Sequence, residues 1–133
     1  MIGIGALIFR RNRILLAQRG KTPLKGWWSL PGGALETGEW LAEGVRREVL
    51  EETGLHVVSM EFFTVFERLM PDANGKMEYH YVLHDYICKV RGEARPGSDV
   101  SAVEWVREQD VKNYRLTEGT LEVIVRAFRG KKK

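Results

Sequence analysis

The stretch "RREVLEETGL", Arg46 to Leu55, crowds three carboxylates, Glu48, Glu51 and Glu52, behind two arginines, Arg46 and Arg47. On a helix these acids fall at i, i+3 and i+4 and share one face. Like charges at that spacing cost an isolated helix roughly 0.2–0.5 kcal/mol per pair, so something must offset them. A solvated face with the arginines as ion-pair partners is one solution. A hard divalent cation is the other, because three oxygen donors on one patch suit it; magnesium takes one or two carboxylates and fills the rest of its shell with water and phosphate. Upstream, Gly32-Gly33 brings a bare backbone beside the helix start. With no Cβ, that backbone approaches a bound group closely, and its carbonyl can serve as a ligand.

The elements that must position these groups are legible in outline. "IGIGALIFR" (Ile2 to Arg10) and "ILLAQRG" (Ile14 to Gly20) read as two strands around a polar turn. Lys21 to Glu39 holds two of the four prolines and four glycines and reads as a loop, long enough to be functional. From Trp40 to Thr53 the pattern is helical, with Leu41, Val45 and Val49 in one apolar stripe and Gly54 as C-cap. His56 to Met70 and Met77 to Val90 read as strands around a turn at Pro71 to Lys76, Ser101 to Val106 as a short strand, and a closing helix is capped by Thr117. The order β-β-loop-α-β-β-β-α implies an α/β (α+β) fold, a mixed sheet covered by helices.

The composition bounds the rest. The 133 residues suit one domain, 1–133, with a real core. No run of about eighteen apolar residues is present and the charges follow the first apolar run, so neither a membrane span nor a leader is expected, and a cytoplasmic protein is. Cys88 stands alone, which excludes an internal disulfide or a cysteine metal cluster; it reads as a buried strand residue. Net charge is +3, four positive charges lying in the terminal "RGKKK", read as a frayed end. No basic stripe with interleaved aromatics points to nucleic acid.

Gly33 to Leu55, "GALETGEWLAEGVRREVLEETGL", resembles the Nudix box, G-x5-E-x7-R-E-U-x-E-E-x-G-U with U a bulky aliphatic residue. Gly33, Glu39, Arg47, Glu48, Val49, Glu51, Glu52, Gly54 and Leu55 all fall in register, and the flanking "GWWSLPGG" and the element order extend the resemblance to most of the chain. The resemblance implies the Nudix fold, an α/β/α sandwich. It also implies hydrolysis of a nucleoside diphosphate linked to another moiety, with Mg2+ (or Mn2+). Carried over, Glu51 and Glu52 are metal ligands, Glu48 is a ligand or handles the water proton, and the Gly32 carbonyl completes the shell. Arg47 orients the glutamates, and Glu39 supports the loop-helix junction or a further metal. Within the family the flanks look most like the ADP-ribose pyrophosphatase branch. The alternatives are nucleoside triphosphates, oxidised ones included, and a non-catalytic nucleotide sensor, against which the intact box argues. The resemblance also allows a homodimer.

Outside the box the general base is open between Glu48, Asp99 and Glu93, since family members use either a box glutamate or an acid on a later loop. Trp27, Arg10 and Tyr81 are the candidates for touching substrate. An indole or phenol face can stack on a base or ribose, whereas Arg10, Arg11 and Gln18 read better as solvated hairpin positions than as contacts to phosphate or base. Trp28 and Trp105 read as packing. Alternation sets Tyr79 and Tyr81 on one strand face and His80 and His84 on the other.

Overall fold

The computed structural model describes residues 1–72 and 74–131. Its strands are β1 (Ile2–Arg10), β2 (Arg13–Arg19), β3 (Trp28–Ser29), β4 (Gly32–Ala34), β5 (His56–Pro71), β6 (Met77–Arg91) and β7 (Val100–Arg107). Its helices are α1 (Leu41–Thr53) and α2 (Thr120–Lys131), with a short 3-10 helix at Glu108–Asn113. The expected loop from Lys21 to Glu39 therefore contains two strands, β3 and β4, each too short to show an alternation.

β1 is the centre of the sheet. It runs parallel to β6 and antiparallel to β4, and it meets β2 only at Phe9–Ile14 and Arg10–Arg13. β6 continues into a long antiparallel hairpin with β5, while β2 pairs with β3 and β7. The strand is apolar on both faces, Ile4 and Leu7 alike being buried, as a strand covered on both sides must be. Val45 and Val49 of α1 pack with Ile4, Ala6, Ile8 and Cys88 on one face. Val123, Ile124, Ala127 and Phe128 of α2 pack with Leu7, Ile14 and Leu16 on the other. The result is the expected mixed sheet between helices. β1 and β2 part after two pairs, and the N-terminal half of β1 pairs instead with β4, against which Glu48 and Glu52 of α1 lie.

α1 ends where the sequence sets it. Gly54 adopts φ 73°, in the left-handed region where glycine alone is unstrained, and its N–H donates to Leu50 O at 3.0 Å. Trp40 is the N-cap rather than the first helical residue. α2 begins at Thr120, two residues later than a Thr117 cap implies, because Gly119 at φ 84° breaks the helical run; Thr117 sits buried below it, with its Oγ1 2.7 Å from Thr120 Oγ1. The basic end is helical as far as Lys131, and Lys132, Lys133 and Ala73 of the β5–β6 turn lie outside the described residues. No helix among the described residues is long and apolar enough to cross a membrane.

Candidate active site

Arg47 organises the acidic face of α1. Its guanidinium makes five hydrogen bonds: Nε to Glu39 Oε2 (2.6 Å), Nη2 to Glu39 Oε1 (3.0 Å) and to Ala34 O (3.1 Å), and Nη1 to Glu48 Oε1 (2.9 Å) and Glu51 Oε2 (3.3 Å). The planar fork of five donors matches this task, and a lysine could not reproduce it. Glu39 is fixed in turn by the Glu36 N–H at 3.0 Å, and these contacts hold its carboxyl below the usual carboxylate range. Glu39 thus ties the loop after β4 to the helix.

The Gly32-Gly33 strand closes the other side. A Cβ at Gly32 would stand 2.0 Å from Ile4 O, so only glycine lets β4 lie this close to β1. A Cβ at Gly33 would meet Glu48 Oε1 at 2.9 Å, so the second glycine leaves room for that carboxylate. Gly32 N–H donates to Glu52 Oε1 at 2.8 Å. In the ladder with β1 the Gly5–Gly32 pair lies next to Ala6 N–H→Pro31 O, which makes it the pair that exchanges no hydrogen bonds. The Gly32 carbonyl therefore turns away from β1, on the same side as its N–H.

Burial pushes the Glu52 carboxyl up to about 8, against the pull of the Gly32 N–H, and raises Glu48 as well. Glu52 Oε2 has no protein partner among the described residues. Hard oxygen donors, buried and short of positive charge, fit a divalent cation. The expected set of Glu48, Glu51 and Glu52 is not gathered as a ready cage, however. Among the described residues no three His, Cys, Asp or Glu side chains are arranged to hold an ion. The reason is Arg47 Nη1, which holds Glu51 on the exposed flank of the helix while Glu52 points to Gly32.

These groups line a cleft of about 510 Å³ that also takes in Arg19, Lys21 and Asp99. A second cavity of about 400 Å³ lies beside it, between Phe66, Arg68, Tyr79, Tyr81 and Asp85. Arg19, Ser29, Gly32, Gly33 and Tyr81 line both, so the two adjoin. Of the expected substrate contacts, Tyr81 stands at the junction. Arg10 does not reach the cleft: its Nη1 donates to Gly92 O at 3.0 Å and its guanidinium lies 5.0 Å from the Trp105 ring. Trp27 is capped by the Arg115 guanidinium at 4.1 Å and lines neither cavity, while Trp28 packs edge-on against Tyr114. Asp99 is on the cleft rim, exposed and paired with Lys21 Nζ at 2.9 Å. Glu93 is not in the cleft; it lies with Gly54 and His56 beyond the C-terminus of α1. Cys88 is buried, its thiol pushed up to about 12 by burial. Arg19, Lys21, Arg68 and Asp85 were not among the sequence candidates. Only Asp85 carried a signal there: it falls in phase with Tyr79 and Tyr81 on an otherwise apolar strand face.

Residues 1–127 match the NUDIX domain family. The chain belongs to the Nudix family. It is 34% identical over 104 residues to the ADP-ribose pyrophosphatase of Methanocaldococcus jannaschii, a match that covers 78% of this chain and 60% of that protein. It is 30% identical over 113 residues to the nucleoside triphosphatase NudI of Escherichia coli, covering 80% of this chain and 78% of that one. Among solved structures it resembles the NUDIX domain of Shewanella oneidensis NrtR complexed with ADP ribose, with a TM-score of 0.82, 26% identity, and coverage of 100% of this chain and 88% of that one. The chain is thus a Nudix hydrolase, an enzyme of pyrophosphate bonds. Nudix hydrolases generally use divalent metal ions and act on small nucleotide substrates.

Proposed function

We propose that this Nudix hydrolase cleaves ADP-ribose to AMP and ribose 5-phosphate with Mg2+ (or Mn2+). The observation that carries the reading is the adjacency of the two cavities, which share five lining residues. A diphosphate laid along the glutamate cleft has a second, aromatic-walled chamber waiting for the group attached to it. The likeness to the M. jannaschii enzyme and to the NrtR domain with its ADP ribose supports the same substrate.

In this reading Glu48, Glu51, Glu52 and the Gly32 carbonyl hold the divalent ions. Bound there, the ions neutralise charge on the phosphates and lower the pKa of a bound water. Arg19 and Lys21 receive the phosphate charge from the opposite wall. Glu48 takes the proton of the attacking water: it is more buried than Asp99, burial raises its pKa above the ordinary carboxylate value, and Asp99 is already tied to Lys21. Arg47 keeps Glu48 in place. Water attacks one phosphorus of the diphosphate and the other phosphate leaves, so one of the two products carries the new oxygen. Heavy-oxygen water and mass spectrometry identify which.

The likeness to NudI favours a second reading, a nucleoside triphosphate split to monophosphate and pyrophosphate. A substrate panel with magnesium separates the two. ADP-ribose is expected to show the highest kcat/KM. Turnover of any nucleoside triphosphate more than about tenfold better, a gap of about 1.4 kcal/mol in transition-state binding, would replace it. In either case full turnover in excess chelator would remove the metal reading.

A further inference from the structure

Asp85 is only 2% exposed, yet the described structure satisfies it poorly. Its Oδ2 is buried without a hydrogen-bond partner, and no cation stands within ion-pair distance. A buried acid left like this is normally paired, protonated or waiting for a ligand. Asp85 lies in phase with Tyr79, Tyr81 and Leu83, and all four line the second cavity.

The backbone beside it leaves room for the carboxylate. Gly5 of β1 pairs with Asp85 in the parallel ladder, and a methyl group there would stand 2.3 Å from Oδ1. Arg68, on the same cavity wall, is held off: Nε donates to Glu118 O and Nη2 to Thr120 Oγ1, both at 3.1 Å. It lends Asp85 favourable charge at a distance without forming a pair. Phe66, Leu83 and the two tyrosines make the remaining walls flat or apolar. The chamber therefore offers a planar or sugar-sized group one strong double acceptor at its floor.

We propose that Asp85 selects the substrate by receiving two adjacent hydrogen-bond donors of the group seated in this cavity while the diphosphate lies along the glutamates. The placement of the diphosphate rests on the pyrophosphohydrolase reading above. Two chemical groups present such a pair to one carboxylate: the vicinal hydroxyls of a ribose and the N1–H and N2–H edge of guanine. An adenine edge offers a donor beside an acceptor and leaves one oxygen of Asp85 bare, so ADP-ribose presents a ribose diol to it and not its adenine.

The test needs no turnover. Dissociation constants are measured by NMR titration in chelator for two pairs of ligands that differ by one donor: ribose 5-phosphate against 2-deoxyribose 5-phosphate, and GMP against IMP. The protein is expected to prefer the full-donor member of one pair by about tenfold, the usual effect of one hydrogen bond to a charged group. Discrimination in the first pair identifies the sugar, in the second the guanine ring. In Asp85→Asn, which keeps the shape, the ratio is expected to fall within about twofold of unity; Asp85→Ser gives a second variant should the first fail to fold. Ratios near unity for both pairs in the unaltered protein, or a ratio that survives both variants, overturn the proposal. Absence of hydrolysis in the substrate panel overturns the proposed function alone and leaves this result standing.

Discussion

The glutamate cleft and the Asp85 cavity are neighbours, share five lining residues, and are built by opposite means. The cleft takes most of its acids from one short segment, Gly33 to Leu55, and ties Glu39, Glu48 and Glu51 with a single arginine whose five bonds leave its guanidinium fully engaged. The cavity gathers Met1, Arg19, Phe66, Arg68, Tyr81 and Asp85 from distant strands, and its central acid has no partner at all among the described residues. Chemistry that must not vary in geometry is placed on one rigid helix. Recognition is left to side chains whose hydrogen bonds are still to be made.

If that contrast is right, damage to the cleft should appear in turnover and damage to the cavity in binding. The largest effect is expected from Glu52→Gln, a loss of at least about a hundredfold in kcat with the fold intact. Because burial raises this carboxyl from 4.5 to about 8, the folded state binds its proton more tightly than the unfolded chain does. Its ionisation therefore costs stability as pH rises from about 4.5 through 8, and at pH 8 without metal the variant should melt at the same temperature or higher. A large fall in melting temperature would make Glu52 a structural acid.

Arg47→Lys should come next, with a loss of about tenfold or more in kcat and about 2–4 kcal/mol in stability. Glu39 and Glu48 would lose charged donors that one ammonium cannot replace at their positions. Urea unfolding measures the second quantity, and an unchanged midpoint would show the hub to be dispensable.

Asp85 sharpens the contrast through pH. Burial raises it from 3.8 to about 6, so its contribution to stability is greatest below pH 4 and is lost as pH rises through 6. Asp85→Asn should leave stability at pH 4 nearly unchanged and raise it at pH 8 by up to about 3 kcal/mol, at 1.36 kcal/mol per pKa unit. A variant less stable at pH 8 would mean that the ionised acid has a partner in the folded state. The smallest effect is expected from Asp99→Asn, which breaks only an exposed pair with Lys21 and should leave the melting temperature nearly unchanged. A fall in kcat beyond about a hundredfold would transfer the general base from Glu48 to Asp99.

The same contrast explains what could be read in advance. The box was legible because Arg47, Glu48, Glu51 and Glu52 lie close together on one helix, where a period of 3.6 maps directly to a face, and Gly54 ends that helix as its spacing implies. β3 and β4 were hidden because two or three residues carry no alternation. Arg10 and Trp27 were drawn toward the cleft by proximity in sequence, but Trp105 and Arg115 offered each a stacking partner closer to hand. Asp85 carried only its phase on β6, and its placement in one cavity with Arg68 was out of reach because that depends on the register of a long hairpin, which no local pattern encodes.

The central claim is that the buried acids of α1, beside Gly32, are there to hold a divalent ion. Its most direct test is titration with manganese(II), followed by the loss of the free-ion electron paramagnetic resonance signal, for the unaltered protein and for Glu52→Gln. The unaltered protein should bind the ion, and the variant should bind it at least about tenfold more weakly, since a first-row cation loses one hard anionic ligand. Equal affinity in the two proteins, or no binding by either, would contradict the claim.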